Sequence, residues 1–354
     1  MSKIGFLTDS CSDIPQELAD KYGIEVVGFP INLDGVEYME RKDFTNDQFY
    51  QMMRDAQGVP TTAAITQLQF CDIYARYADE GYTDLVYLSI NAGGSSTYNN
   101  AVKAMELLEE ERPGYTMKIQ VIDSHTYSMP YGWYFCECAR KVRNGGELAA
   151  CVAELKQKLD CVEICLAAYS LKQMKKSGRV SAAAAVVGDL LGIRPIISLN
   201  AGVSKVESKV RGDAAVPAAM IKWVESRVDS MKDTPYMVAY TSSTAKRDEL
   251  VKLCKKAFGH APLIVFQLGG VVLVLERFQS FQLVFRRHFR IARDFAGVDL
   301  CHNDYLLRLT RLFTQHYFLF LRVVSRLRLR SSLTIQRLTA VKPLSSPFSY
   351  LRKD

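Results

Sequence analysis

The chain has 354 residues, 48% hydrophobic and 23% charged, an ordinary globular composition at a length that points to two domains rather than one. Met1-Ser2-Lys3 leads into an apolar run of only four residues, Ile4 to Leu7, which is too short for a secretory signal, and no window of about 18 uncharged apolar residues offers a spanning helix. The sequence therefore reads as cytoplasmic. Its nine cysteines run from Cys11 to Cys301 without a C-x-x-C pair or zinc-type Cys/His spacing, and are read as buried free thiols. Charge is uneven: residues 271–354 carry 15 basic and 5 acidic groups, net +10, whereas the first 270 carry 30 basic and 33 acidic groups, net −3.

In chain order, Lys3 to Thr8 reads as a buried strand, and Asp13-Ile-Pro15 as a helix start with an acidic N-cap and an early proline. Glu25 to Pro30 is the next strand, followed by the hairpin-type pair Asp34-Gly35. Thr45 caps a helix reaching about Ala56, with Phe49, Met52 and Met53 on one face and Gly58 as its stop. Gln67 to Asp79 is a second helix that gathers Phe70, Ile73, Tyr74 and Tyr77. Asp84 to Ser89 is a strand, Thr97 to Glu111 a helix, and Lys118 to Ile122 a strand. Continuous apolar strands alternating with helices indicate a parallel sheet covered on both faces.

Asn144-Gly145-Gly146 and a helix from Leu148 to Leu159 lead into a second α/β unit. Its expected strands are Cys161–Ala167, Pro195–Leu199, Tyr236–Tyr240 and Leu263–Phe266; its expected helices are Ala182–Leu191, Val216–Met231 and Ala245–Phe258. The division is 1–160 and 161–272, with an atypical tail at 273–354. In that tail Phe, Leu and Arg intermingle, as in Phe318-Leu-Phe-Leu-Arg322 and Arg326-Leu-Arg-Leu-Arg330.

Hydroxyls and glycines concentrate where strands end, and open parallel sheets place ligands there. Thr8-Asp9-Ser10 follows the first strand; Ser89-Ile-Asn-Ala-Gly-Gly-Ser-Ser-Thr97 runs from a later strand into a helix. A helix start suits an anion, although Ser95 or Ser96 could equally cap its own helix. The chain has no G-x-x-x-x-G-K-[ST], G-x-S-x-G or H-E-x-x-H, which removes the common signatures of phosphoryl transfer, α/β-hydrolase and zincin chemistry.

Seven short segments, weak singly, stand in one order over about 270 residues. They are Thr8-Asp9-Ser10; Pro60-Thr61-Thr62-Ala63-Ala64-Ile65-Thr66; Gly94-Ser95-Ser96-Thr97-Tyr98; Val121-Ile-Asp-Ser124 with Ser128-Met129; Ser177-Gly-Arg-Val180; Gly192-Ile-Arg-Pro-Ile-Ile197 with Asn200-Ala-Gly202; and Val210-Arg211-Gly212. Together they resemble the DegV family of fatty-acid-binding proteins. That resemblance implies a two-domain α/β fold with one long-chain fatty acid held between the domains. It implies a non-catalytic subunit that presents the carboxylate to a separate fatty acid kinase subunit in bacterial phospholipid metabolism. The acid would be a ligand with no further cofactor and no metal; no nucleic acid is implied, and transient membrane contact would serve acyl exchange.

Carried over by motif, Thr62 and Ser95 are the carboxylate-binding hydroxyls. Ser96, Arg179 and Arg211 are candidates for the head-group or kinase-facing side, with a surface or interdomain ion pair as the rival role for the arginines. Asp9, Ser10, Asp123 and Ser124 are loop-shaping. Burying a methylene contributes ~0.8 kcal/mol, so a tail of about 16 carbons offers on the order of 10 kcal/mol before association losses. A hydrogen bond to a charged group contributes about 1.5–3 kcal/mol. The tail would supply affinity, and the hydroxyls orientation. Two other readings of the same cleft are an esterase-like enzyme using Ser95 on a small anion and an acyl-responsive regulatory protein.

The chain also departs from the family pattern. Ala63, Ala64 and Ile65 replace Ser, Gln and Pro, and Ser96 stands where the family has glycine. The family's closing run begins at Gly269-Gly-Val-Val272 and is then lost, without its histidine or Gly-Pro-Gly. A shifted reading frame or joined fragment from about residue 273 is the expectation, against a basic appendage for membrane or nucleic acid.

Overall fold

The fold is that of a computed structural model, which describes residues 2–168, 192–200, 203–241, 243–272 and 280–286. The first strand, β1 (Ile4–Asp9), ends in a 3-10 turn at Ser10–Ser12 and leads to α1 (Gln16–Tyr22) and β2 (Ile24–Val27). A small antiparallel sheet follows, made of β3 (Pro30–Leu33), β4 (Val36–Met39) and, after α2 (Asn46–Asp55), β5 (Thr61–Thr62). Then come α3 (Gln67–Asp79), β6 (Asp84–Ser89), α4 (Thr97–Glu111), β7 (Lys118–Asp123), α5 (Met129–Arg143) and α6 (Leu148–Asp160).

Strands β2-β1-β6-β7 form a parallel sheet in that order. Leu85 to Leu88 are all buried, as expected where helices cover both faces. Local chemistry sets several boundaries. Thr45 and Thr66 each form a capping box, with Gln48 and Gln69 respectively. Asp34 (φ 51°) and Gly35 (φ 87°) close the β3–β4 hairpin, the double left-handed turn that asparagine, aspartate and glycine favour.

The second sheet is built from β8 (Val162–Ala168), β9 (Ile193–Asn200), β10 (Val203–Arg211), β11 (Tyr236–Tyr240), β12 (Val265–Gln267) and β13 (Ser280–Arg286). Its spatial order is β10-β9-β8-β13-β11-β12, with only β11 and β12 parallel. Helices α7 (Val216–Glu225) and α8 (Thr244–Phe258) cover one face. Alternation along the strands divides the core. Ile164, Met237, Ala239 and Val284 join the large core built on the parallel sheet, whereas Cys165, Tyr236, Val238, Leu283 and Phe285 pack with Trp223, Leu250 and Phe258. All three sheets belong to one compact unit. Of the eight described cysteines, all free, seven are buried. Among the described residues no helix is long and apolar enough to cross a membrane.

Several expectations need correction. Asp13 does not cap α1: the helix begins at Gln16 with Pro15 in the cap position and no side-chain cap bond, while Asp13 turns inward with φ 51°. The expected strand from Glu25 to Pro30 is two strands in different sheets, broken at Gly28, where a Cβ would lie 2.4 Å from the Glu40 carbonyl oxygen. The helix expected to reach Met231 stops at Glu225, and the strand expected at 263–266 is Val265–Gln267. Four elements had no expectation: β5, α5, β10 and β13. The expected helix Ala182–Leu191 lies outside the described residues.

Strand β13 lies past residue 272, where the sequence reading ends the second domain. It pairs with β8 along its whole length, from Ser280 opposite Ala168 to Arg286 opposite Val162. Phe285 is 1% exposed, with its ring edge-on to Trp223 at 5.6 Å. Phe285→Ala is therefore expected to cost about 3–5 kcal/mol in urea unfolding; a loss below about 1 kcal/mol would remove residues 280–286 from the core.

Candidate functional site

Strand order reverses direction at β1: the chain goes from β1 to β2 on one side and later to β6 on the other. The crevice beyond the carboxyl ends of β1 and β6 is thus the topological switch point, where open α/β sheets place ligands. Two aspartates shape it. Asp9, last residue of β1 and wholly buried, accepts from Ile90 N (2.8 Å), Tyr87 OH (3.1 Å) and Tyr131 OH (2.6 Å). Asp123, last residue of β7, accepts from Ala92 N (3.0 Å) and His125 N (2.9 Å), with His125 Nδ1 at 3.1 Å. The loop between β6 and α4 is thereby gripped from both neighbouring strands.

Asn91 completes the grip. Its amide N–H donates to Thr126 O, its side chain donates to Tyr127 OH at 2.9 Å, and its Oδ1 accepts from Gly93 N at 3.1 Å. Ser124 braces the next loop by accepting from Thr126 N and donating to Thr126 O. Ser10 accepts from Phe29 N at 3.0 Å and donates to Glu40.

The acids that hold this loop have shifted acidities. Burial pushes Asp9 up to about 6 against the opposing pull of its Tyr131, Ile90 and Tyr87 bonds. Burial also raises Asp123, but the His125 and Ala92 bonds outweigh it and hold that carboxyl below the usual range. The Asp123 hydrogen bond in turn raises His125.

Ser95 is half-buried at the start of α4. Its Oγ accepts from Thr97 N at 3.3 Å and shares a 2.8 Å bond with Thr97 Oγ1 in which either hydroxyl can donate. Ser96 occupies the N-cap position, exposed, and makes no side-chain cap bond. Thr62 is half-buried in β5, opposite Ile31 of β3. Three residues beyond it, Ile65 O accepts from Asn100 Nδ2 at 2.8 Å, so the segment after Thr62 is tied to the first turns of the helix that follows Ser95. Neither Asn100 nor Asn91 stood out in the sequence, because a lone asparagine near a helix start or in a loop is ordinary surface chemistry.

Arg211 stands exposed at the end of β10, in the six-stranded sheet rather than the sheet that carries Ser95. Arg179 and its motif lie outside the described residues. Among the described residues no hydrogen bond joins a histidine to Ser95: His125 pairs with Asp123, and the His260 ring meets Ala261 O and Thr234 O.

The DegV family model, described as "Uncharacterised protein, DegV family", matches residues 3–275. The chain belongs to the DegV family. A DegV domain-containing protein of Caldanaerobacter subterraneus is 29% identical over 234 residues, covering 66% of this chain and 78% of the relative. Among solved structures, a stearic-acid-binding protein from Eubacterium ventriosum superposes with TM-score 0.73 at 22% identity, covering 81% of this chain and 98% of its own. A fatty-acid-binding DegV family protein from Streptococcus agalactiae gives TM-score 0.71 at 24% identity, covering 81% and 100%. At such identities the likeness shows the fold: this DegV chain has the family's two-domain α/β architecture.

Because the folded Asp9 carboxyl sits above its ordinary value, the protonated form favours the fold. Its contribution is full below about 4 and is lost as pH rises through about 6. Asp9→Asn, which cannot ionise, should gain on wild type by on the order of 3 kcal/mol between pH 4 and pH 7 in paired urea titrations. A pH-independent difference between the two proteins would contradict the assignment.

Proposed function

We propose that this DegV protein binds one long-chain fatty acid, takes its carboxylate at Thr62 and Ser95, and presents that carboxylate to a separate fatty acid kinase subunit. The observation that carries the reading is the hydroxyl-bearing start of α4. There Ser95 sits beside an N-cap residue that makes no side-chain cap bond, and Asn100 ties the same helix to the segment following Thr62. If Thr97 Oγ1 donates to Ser95, the Ser95 proton is left for an anion, and the first amides of a 15-residue helix add a partial positive charge. The fatty acids named for the Eubacterium and Streptococcus relatives support the same ligand class.

In this reading Asp9, Ser10, Asp123 and Ser124 shape the loops without touching the acid. Ser96, Arg179 and Arg211 face the head group or the kinase. The protein itself supplies no catalytic group. It acts in the cytoplasm of a bacterium, feeds phospholipid synthesis and touches the membrane only during acyl exchange. The acid lies between a domain of residues 1–160 and a second beginning at 161, which includes β13.

Native mass spectrometry of the purified protein, with lipid extraction, is expected to reveal one bound acid of about 16 to 18 carbons. Thr62→Val with Ser95→Ala should weaken retention of a fluorescent fatty acid about ten- to hundredfold, the loss of one or two hydrogen bonds to a charged group. Undiminished retention would take both residues out of the site, and an empty protein that hydrolyses esters would replace the carrier with an enzyme.

A further inference from the structure

Away from Thr62 and Ser95, a second polar cluster is buried where the chain leaves the six-stranded sheet and returns to the parallel one. After β12 it runs Leu268-Gly-Gly-Val-Val272 and becomes helical at Gly270. Leu268, Val271 and Val272 are buried in the core that also holds Ile31 and Phe49. Two carboxylates from the first 40 residues meet the segment's amides: Asp13 Oδ1 accepts from Gly269 N at 2.9 Å and Glu40 Oε1 from Val271 N at 3.0 Å. Tyr50 OH donates to Leu268 O at 3.0 Å.

The far oxygen of each carboxylate is held by a serine from a strand-end loop. Ser128 Oγ donates to Asp13 Oδ2, and Ser10 Oγ to Glu40 Oε2. Space is matched as closely as charge. A Cβ on Gly269 would lie 2.5 Å from Asp13 Oδ1, and one on Gly270 would lie 3.0 Å from Glu40 Oε1 and 3.1 Å from both Ile31 and Phe49. Asp13 (φ 51°) and Ser128 (φ 64°) hold left-handed conformations that cost a non-glycine residue energy. Such strain persists only where surrounding bonds over-determine it.

We propose that Asp13 and Glu40 form a latch that fastens segment 268–272 to the strand-end loops, so that this segment opens locally by releasing these bonds while the core shared by the two sheets stays packed. The segment reaches the parallel sheet through a few amide–carboxylate bonds and three apolar side chains, a local connection that can open at less than global cost. Ser10 adjoins Asp9, which holds the loop before Ser95, so the latch and that loop share one hydrogen-bonded neighbourhood. The groups facing the latch are Cys11 and Arg41; Arg41 also donates to Ile14 O. Burial raises both latch carboxyls, so a neutral amide of the same shape fits: its oxygen accepts the backbone N–H while the serine hydroxyl rotates to accept from its nitrogen. The latch is independent of what the protein binds.

Hydrogen exchange on the full chain tests it. Asp13→Ala, and separately Gly269→Ala, which pushes the segment off the same carboxylate from the other side, should speed exchange at residues 269–271 about ten- to hundredfold. Strands β1 and β6 should keep wild-type protection, and Asp13→Asn should keep it throughout. Unchanged exchange at 269–271 in the alanine variants, an equal rise across β1 and β6, or an equal loss in Asp13→Asn would each overturn the latch.

Discussion

Where a parallel sheet ends, the amides of the departing loops lose their ladder partners and must find other acceptors. In this protein buried carboxylates take that role. Asp9 holds Ile90 and two tyrosine hydroxyls, Asp123 holds Ala92, and Glu40 and Asp13 hold the amides of residues 269–271. Each acid is costly to bury, and each is offset by two or more donors. The result is a set of loops whose backbone positions depend on a few oxygens, with the hydroxyls of Ser95 and Thr97 placed on top of them.

The second half depends on a different constraint, the two-residue period of its strands. β11 and β13 send alternate residues into two cores, one shared with the parallel sheet and one beneath α7 and α8. A slip of one residue would exchange the two sets. Strand β13 occupies an interior position between β8 and β11, so residues 280–286 are part of this packing although they lie in the stretch whose composition departs from the rest.

Legibility in the sequence followed how local the determinant was. The ends of α3, β6 and α4 could be read directly, because Thr66 caps from one residue away and the strand is a continuous apolar run between turn signals. Strand β10 could not, since Val203-Ser-Lys-Val-Glu-Ser-Lys-Val-Arg211 is polar on an exposed edge and looks like a loop. Helix α5 begins Met-Pro-Tyr-Gly, a run that reads as a turn, yet Pro130 sits in the first turn, where its missing N–H costs nothing. Asp13 looked like a helix cap because its other partners, Ser128 and Gly269, are 115 and 256 residues away.

By itself the sequence determined the parallel βα pattern of the first half, the family, and the hydroxyl-rich loop at the start of α4, because these follow from periodicity, turn chemistry and ordered short motifs. Only the tertiary structure decided which acids serve as internal acceptors, how Asn100 draws the segment after Thr62 against α4, and that residues 280–286 complete a sheet. The reason is physical: a carboxylate or an apolar strand has the same composition wherever it lies, and its role is set by partners that folding alone brings within about 3 Å.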